Sequence, residues 1–455
     1  MKQARDADAI VVGAGAAGLM AALAAAHAGA NVLLLERDLG GPSNLLVSGG
    51  LFPSAGSRYQ RAAGIDDNPA RFAADIRAKG GAAVNEAIVD TVAARSTDVA
   101  PFIADVLAIP IHVMVTITAP GHSVPRLHAT PKESGRELHA MLRAAAGRQA
   151  RLRLLDRAEV RGLVVEAGRV VGVEARVAGE ERVARAPSTL LATGGFGGNR
   201  SLLGEFIPEM ADALNIGAGP NDGCAIAWSR PLGADVALMD GYQGQGHVNP
   251  PGRTRLGMAL PPLGAIMLNR DGERFVREDV GPSALAAFVL RQPGGRVLEL
   301  YDRRIHDAVS SQGAYRDAYE AGKVMIASDV ESLAQTTGVP RERLEAALAA
   351  TARYARGEAT DPLGRTQFAA PLAPPYYASW VTGALAHTQG GLRIDDRARV
   401  LRADGAPIAG LYAAGGAAAG LSGKGGDGYL PGNGFGQCFP LGLIAGEQMA
   451  AAARA

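Results

Sequence analysis

Cysteine is nearly absent from this 455-residue chain: Cys224 and Cys438 are the only two, far apart and without metal-ligand spacing. That excludes a disulfide framework and argues for a reducing compartment, and no iron–sulfur pattern or CxxCH haem-attachment segment occurs. An excess of either charge is also missing. Lys and Arg number 46 against 45 Asp and Glu, a balance of +1, so nothing in the composition draws the chain to nucleic acid or to an anionic membrane. No window approaches the roughly 18 consecutive apolar residues that a membrane helix needs. The Ala-rich "GLMAALAAAHAGA" is too short. The opening "MKQARDADAIVVGAG" has no long apolar stretch ahead of a small-residue cleavage site, so the expectation is a cytoplasmic protein without membrane insertion. The 60 glycines follow no fixed period, which excludes collagen-like and solenoid arrangements. What remains is a small-molecule partner, and a length that suggests about two or three packed units.

The glycines cluster instead at particular turns. "DAIVVGAGAAGLMAALAAAHAGANVLLLERD" reads as strand, tight turn, helix and second strand, with Glu36 closing the second strand. In that context Gly13 permits the turn, Gly15 lets the backbone approach a pyrophosphate, and Gly18 lets the helix pack on the strand. Glu36, 23 residues beyond Gly13, is spaced to accept hydrogen bonds from a ribose diol. A dinucleotide is expected. "GGPSNLLVSGG" at 40–50 follows the acid at once, where a nicotinamide protein would continue into a regular crossover. "TLLATGGFGGN" at 189–199 and "GLYAAGGAAAG" at 410–420 each end an apolar strand. Three distant Gly-rich turns on one extended cofactor suit FAD.

Seven segments in order, "VVGAGAAGLMAA", "GGPSN", "LLATGGFGGN", "NDGCAIAW", "GAIMLNRDGERFVRED", "HTQGGLRID" and "PIAGLYAAG", carry a resemblance that covers nearly the whole chain. They resemble the flavoprotein family of fumarate reductases, succinate dehydrogenases and ketosteroid dehydrogenases. The resemblance implies an α/β fold: a Rossmann-like, doubly wound FAD-binding domain interrupted by a smaller α+β capping domain, with substrate held between them against the flavin. Composition places the capping domain at 236–372, leaving 1–235 and 373–455 as the two parts of the FAD-binding domain. Within it Val339-Pro340 divides a charged helical stretch into two helices, and "PLAPPYY" at 371–377 reads as a linker. Family members with covalent flavin carry a histidine in the loop after Glu36; Ser43, Asn44 and Leu45 stand there, so noncovalent FAD is implied.

The candidate cofactor contacts are Gly13, Gly15, Ala16, Ala17 and Gly18 in the first turn, then Glu36 and Arg37. Gly41, Ser43, Asn44, Gly49 and Gly50 follow in the next loop. Ala192, Thr193, Gly194, Asn199 and Asp222 belong to the second cluster and its sequel, Gly415 to the third, and Asn433 to the start of the last helix. Asp222 also reads as a cap for the helix opening at Gly223. The helix start near Asn433 carries about half a positive charge, which would favour an anionic reduced flavin.

The chemistry departs from the fumarate reductases of that family. Where they resemble one another in a proton-donating arginine, alignment of "GERFVREDVGPSALA" puts Pro282 or its neighbours. Their Thr-Glu pair is matched by "GMALPP", and their C-terminal substrate-clamp arginine falls on Tyr429. Losing these groups removes the means to hold a dicarboxylate and protonate its alkene. "YLPGNG" resembles instead the tyrosine and Pro-Gly-x-Gly of ketosteroid dehydrogenases, with one added leucine. Tyr429 is then a catalytic candidate: its phenol, with a backbone N–H from Gly432 or Gly434, can stabilise charge on a ketone oxygen while a neighbouring C–H ionises. Tyr242 and His247 are the candidates for the base, and His387 in "AHTQGG" resembles a family histidine that contacts a substrate carboxylate. The expected function is a dehydrogenase forming a C=C bond next to the carbonyl of a small, cyclic oxo compound or oxo acid, with hydride passing to FAD N5 and an external electron acceptor left open. The alternatives are an ene-reductase of the fumarate or urocanate type and a degenerate flavin-binding protein.

Overall fold

The computed structural model describes residues 5–115, 118–250 and 254–454. By internal contacts the chain divides into two compact units, one of Met1–Ile207, Gly217–Tyr242 and His387–Ala455, the other of Pro208–Ile216 and Gln243–Ala386.

Short apolar runs build the centre of the first unit: β1 (Ala9–Val12, AIVV), β2 (Val32–Leu35, VLLL) and, after the edge strand β3 (Leu152–Leu155, LRLL), β4 (Thr189–Leu191). β1, β2 and β4 are buried throughout, as strands of a parallel sheet covered on both faces must be. The helix α1 (Ala16–His27) joins β1 to β2. Further along come α2 (Pro69–Gly80), capped by the Asn68 side chain, and α3 (Gly135–Gly147).

The chain then supplies β5 (Tyr242–Asn249), β6 (Arg296–Asp302) and β7 (Tyr376–Thr388), the main strands of a seven-stranded sheet. β6 and β7 run antiparallel with Leu298 opposite Trp380 and Tyr301 opposite Tyr377. Tyr376 and Tyr377, the end of the proline-rich "PLAPPYY", already lie in that strand. β6 shows the two-residue period of a strand buried on both faces: Leu298 and Leu300 meet Leu333 and Leu344, whereas Val297 and Tyr301 meet Leu285 and Tyr315. The helices Val330–Thr337 and Arg341–Ala355 are parted by Gly338, at φ +75°, and Pro340.

β8 (Arg399–Leu401), β9 (Pro407–Ala413) and α4 (Asn433–Arg454) complete the first unit. Its six-stranded sheet has the order β8-β9-β4-β1-β2-β3, parallel except at the β8–β9 pair. α1 is apolar all round and buried from Ala16 to Ala26, the mark of a helix covered on every side. α4 crosses it at backbone distance: a Cβ on Gly442 would stand 2.9 Å from the Ala17 carbonyl oxygen, and one on Gly446 would collide with that of Ala21. Residues four apart share a helix face, so these glycines form a smooth groove that fixes Asn433 and its loop relative to the first turn. Among the described residues no helix is long and apolar enough to cross a membrane.

Candidate active site

Three glycine turns meet at the carboxyl ends of β1, β4 and β9. Gly13 stands at φ +101°, and a Cβ there would lie 2.5 Å from the Ala192 carbonyl oxygen. One on Gly18 would run into the Gly13 carbonyl, and one on Gly415 would lie 2.9 Å from the Ala17 side chain. The first-turn N–H groups of α1 receive no side-chain cap, because Gly15 occupies the cap position, and an added Cβ at Gly15 would meet nothing within 4 Å. An uncapped helix start facing open space, at the edge where a parallel sheet ends, is a cradle for phosphate. The Glu36 carboxylate accepts from the Ala14 N–H at 2.7 Å and the Asp38 N–H at 3.0 Å, which pins it beside the turn.

Several polar candidates close the chain's own turns. Ser43 accepts from the Leu46 N–H, and Asn44 from the Ala218 N–H at 2.7 Å. Asn199 caps the helix Arg200–Phe206 and donates to the Asp222 carbonyl, while the Asp222 carboxylate accepts from the Cys224 N–H at 3.0 Å. Arg37 reaches the Pro220 carbonyl at 3.5 Å, and Gly41 N–H donates to Asp38. Gly49 and Gly50 lead out of the helix Asn44–Val47, with Gly50 at φ +70° against Ser134. Ala192 N–H donates to Val12, Thr193 follows it, and Gly194 at φ +83° backs onto the Asn221 side chain. Asn433 differs from Ser43, Asn44, Asn199 and Asp222. Its side chain is fully buried, yet neither amide atom has a hydrogen-bond partner within the protein. A buried amide without partners costs a few kcal/mol unless a ligand pairs with it, so Asn433, the phosphate cradle and Glu36 together fit a bound dinucleotide.

Near Asn433 the structure brings Tyr429, His387 and Gly434 together. The Gly434 N–H points at the Tyr429 phenol oxygen at 3.4 Å, and the His387 and Tyr429 rings stand edge to face with centroids 5.5 Å apart. A Cβ on Gly434 would lie 3.1 Å from His387 Nε2 and 3.6 Å from the Tyr429 oxygen, so only glycine leaves the space between the two polar atoms open. Gly432, at φ +89°, makes the turn. Burial sets both protonation states. It pushes the Tyr429 phenol up to about 12, against the smaller opposing effect of the Gly434 and Gly432 N–H groups. It holds His387 below the ordinary imidazole value despite the Thr388 carbonyl. His387 Nδ1 lies 3.2 Å from that carbonyl oxygen and 3.3 Å from the Gln389 side-chain nitrogen. The result is a neutral O–H donor beside a neutral imidazole.

Tyr242 and His247 sit five residues apart on β5 and therefore face opposite sides of it. Tyr242 is 2% exposed, and its backbone N–H donates to the Gly425 carbonyl. His247, in the second unit, is also buried, with Nδ1 3.0 Å from both carboxylate oxygens of the buried Glu299. Glu299, on an otherwise apolar face of β6, lies outside the site residues expected from the sequence. A lone acid at the centre of "RVLELYD" was the available signal, since a carboxylate in an apolar strand needs a buried partner. Pro282 opens the helix Pro282–Leu290. Arg255, paired in register with Val248, is half-buried, has no hydrogen-bonding or ionic partner among the described residues, and is lowered by burial from the usual guanidinium range.

The chain matches the FAD binding domain family over residues 8–435. It belongs to that family. This flavoprotein is 30% identical over 97% of its length to a probable fumarate reductase, Ifc3, of Shewanella frigidimarina, and covers 74% of that relative. It is 25% identical over 97% of its length to the 4-oxocyclohexanecarboxylate 2-dehydrogenase of Sinomonas cyclohexanicum, and covers 92% of it. Among solved structures, the open conformation of a flavocytochrome c3 fumarate reductase superposes with TM-score 0.86 at 28% identity, covering 99% of this chain and 79% of that one. A 3-ketosteroid-Δ4-(5α)-dehydrogenase of Rhodococcus jostii RHA1 superposes with TM-score 0.78 at 26% identity, covering 99% and 98%. The flavoprotein is therefore an FAD-dependent oxidoreductase of the fumarate reductase and ketosteroid dehydrogenase family, whose chemistry is at a carbon–carbon bond.

Proposed function

We propose that the flavoprotein is a dehydrogenase that introduces a C=C bond α,β to the carbonyl of a small cyclic oxo compound or oxo acid. One observation carries this reading: a buried phenol, kept protonated and already taking a backbone N–H on its oxygen, beside a neutral imidazole nitrogen across a gap that only glycine leaves free. Tyr429 O–H donates to the substrate carbonyl, and the Gly434 N–H on the phenol oxygen makes that O–H the better donor. Negative charge growing on the carbonyl oxygen as the α proton leaves meets donors already in place, which lowers the barrier without reorganisation. His247 is the favoured base. Glu299 takes its Nδ1–H and leaves the Nε2 lone pair to accept the proton. Tyr242 is the second candidate. Noncovalent FAD supplies the hydride acceptor when bound. The glycine turn would hold its pyrophosphate, Glu36 its ribose diol and Asn433 its flavin end.

The 4-oxocyclohexanecarboxylate dehydrogenase and the ketosteroid dehydrogenase, both named for cyclic ketones, support this direction. The 30% identity to a probable fumarate reductase favours a second reading, reduction of an activated alkene. Anaerobic mixing of the FAD-loaded protein with 4-oxocyclohexanecarboxylate and with cyclohexanone decides between them. Bleaching of the flavin that is lost in Tyr429→Phe supports desaturation. Absence of bleaching, with rapid reoxidation of chemically reduced flavin by fumarate or urocanate, gives the second reading.

A further inference from the structure

The loop that carries Tyr429 has little to hold it in place by itself. Within it Asn433 N–H donates to Leu430 and Gly436 N–H to Gly432, while the Tyr429 N–H reaches Gly426 only at 3.4 Å. Its rigidity comes from a segment distant in sequence. A Cβ on Gly121 would stand 2.8 Å from Leu430 Cδ1, His122 Nε2 lies 2.7 Å from the Pro431 carbonyl oxygen, and a Cβ on Gly432 would stand 2.8 Å from Leu127 Cδ2. Three consecutive loop residues are each met by 121–127.

The proton on His122 can be assigned from its neighbours. Arg126 Nη1 lies 3.0 Å from His122 Nδ1, and a guanidinium only donates. Nδ1 is therefore the acceptor, and Nε2 carries the hydrogen that it donates to Pro431. Burial, with the Arg126 cation adding to it, keeps the ring below the ordinary imidazole value and hence neutral near pH 7. Arg126 is itself immobile. Its fully buried guanidinium donates twice to Asp67 and once to Asp75, each at 2.7 Å, and lies 4.7 Å from the centre of the Phe72 ring, on which His122 also stacks. Asp75 takes the Ser123 N–H and Oγ–H as well. The segment is thus tied to α2 by ionic hydrogen bonds from which water is excluded, the setting in which such bonds are strongest and any loss costs most.

We propose that His122 is a positioning residue for Tyr429: its Nε2–H, oriented by Arg126, fixes the Pro431 carbonyl and with it where the phenol stands. This rests on the reading that Tyr429 polarises the substrate carbonyl. The groups facing His122 are Arg126 on its own segment and, behind it, Asp67 and Asp75; the Lys79 stem of α2 lies against Gly121.

Hydrogen exchange of the FAD-loaded protein tests it without substrate. His122→Phe keeps a ring over Phe72 and removes both hydrogen bonds. Amides across 429–434 should then exchange about tenfold faster, as expected when a buried carbonyl loses its donor, while peptides of α1 stay unchanged. His122→Gln, which can both donate to Pro431 and accept from Arg126, should restore protection to within about threefold. Unchanged exchange in His122→Phe, or a rise shared by the whole unit and equal in His122→Gln, overturns the proposal. Should His122→Phe fail to fold, the wild-type protein serves. Protonation puts an Nδ1–H against Arg126, so exchange in 429–434 relative to α1 should rise as pH falls below the imidazole range, and a constant ratio down to unfolding overturns the proposal. In a double-mutant cycle of ketone bleaching, His122→Phe should slow the rate about tenfold with Tyr429 present and less than about twofold in Tyr429→Phe; additive effects also overturn it. If Tyr429→Phe alone leaves bleaching unchanged, the functional reading fails while the exchange result still decides His122.

Discussion

The nucleotide end and the carbonyl end of the first unit are built by different means. Between Gly13 and Glu36 the cradle is contiguous chain, made of main-chain N–H groups and of places where no side chain fits. At Tyr429, His387 and Gly434 distant segments are brought together, and what matters is the proton state that burial imposes on two side chains. One end works by shape and the other by acidity. A change that adds a methyl group should abolish the first and one that removes a single oxygen should abolish the second.

The largest effect should come from Gly18→Val, which drives side-chain carbons into the Gly13 carbonyl. The purified protein should be colourless, with FAD affinity reduced on the order of 100-fold or more by titration of flavin fluorescence. Full flavin loading would show that the turn is not the cradle. Next, Tyr429→Phe should keep the yellow colour and lower the rate of anaerobic bleaching by about 100-fold, the usual cost of losing one oxyanion donor. A rate within threefold of wild type would place the chemistry elsewhere.

Stability should follow the histidines. His122, His128, His139 and His387 are all held below the imidazole range by burial, His128 down to about 4. Between about 6.5 and 4 the unfolded chain binds protons that the folded one refuses, so urea midpoints should fall as pH falls through that window. The smallest effect is none at all. Burial lifts the Tyr429 phenol to about 12, so bleaching should show no tyrosine limb up to about pH 10, where an ordinary phenol would be half ionised.

The same contrast explains what could be read from the sequence. β1, the turn, α1 and β2 are legible because strand, glycine spacing and helix follow one another within one short stretch. Tyr429 stands out as a phenol among glycines, and the split at Val339-Pro340 follows from proline chemistry. The support beneath Tyr429 is not legible. Asp67, Asp75, His122 and Arg126 look like ordinary solvated residues along the chain, and only the fold removes them from water together. Ser43, Asn44, Asn199 and Asp222 show the converse: residues suited to a cofactor by type make hydrogen bonds that close the protein's own turns.

The crossing of α1 by α4 sets a timetable. The groove of Gly442 and Gly446 is synthesised more than 400 residues after the turn it braces. During synthesis α1 emerges with its apolar surface uncovered and must wait for α4. Flavin loading consequently follows the docking of α4, and truncation behind β9 should yield an apoprotein that no excess of FAD can rescue.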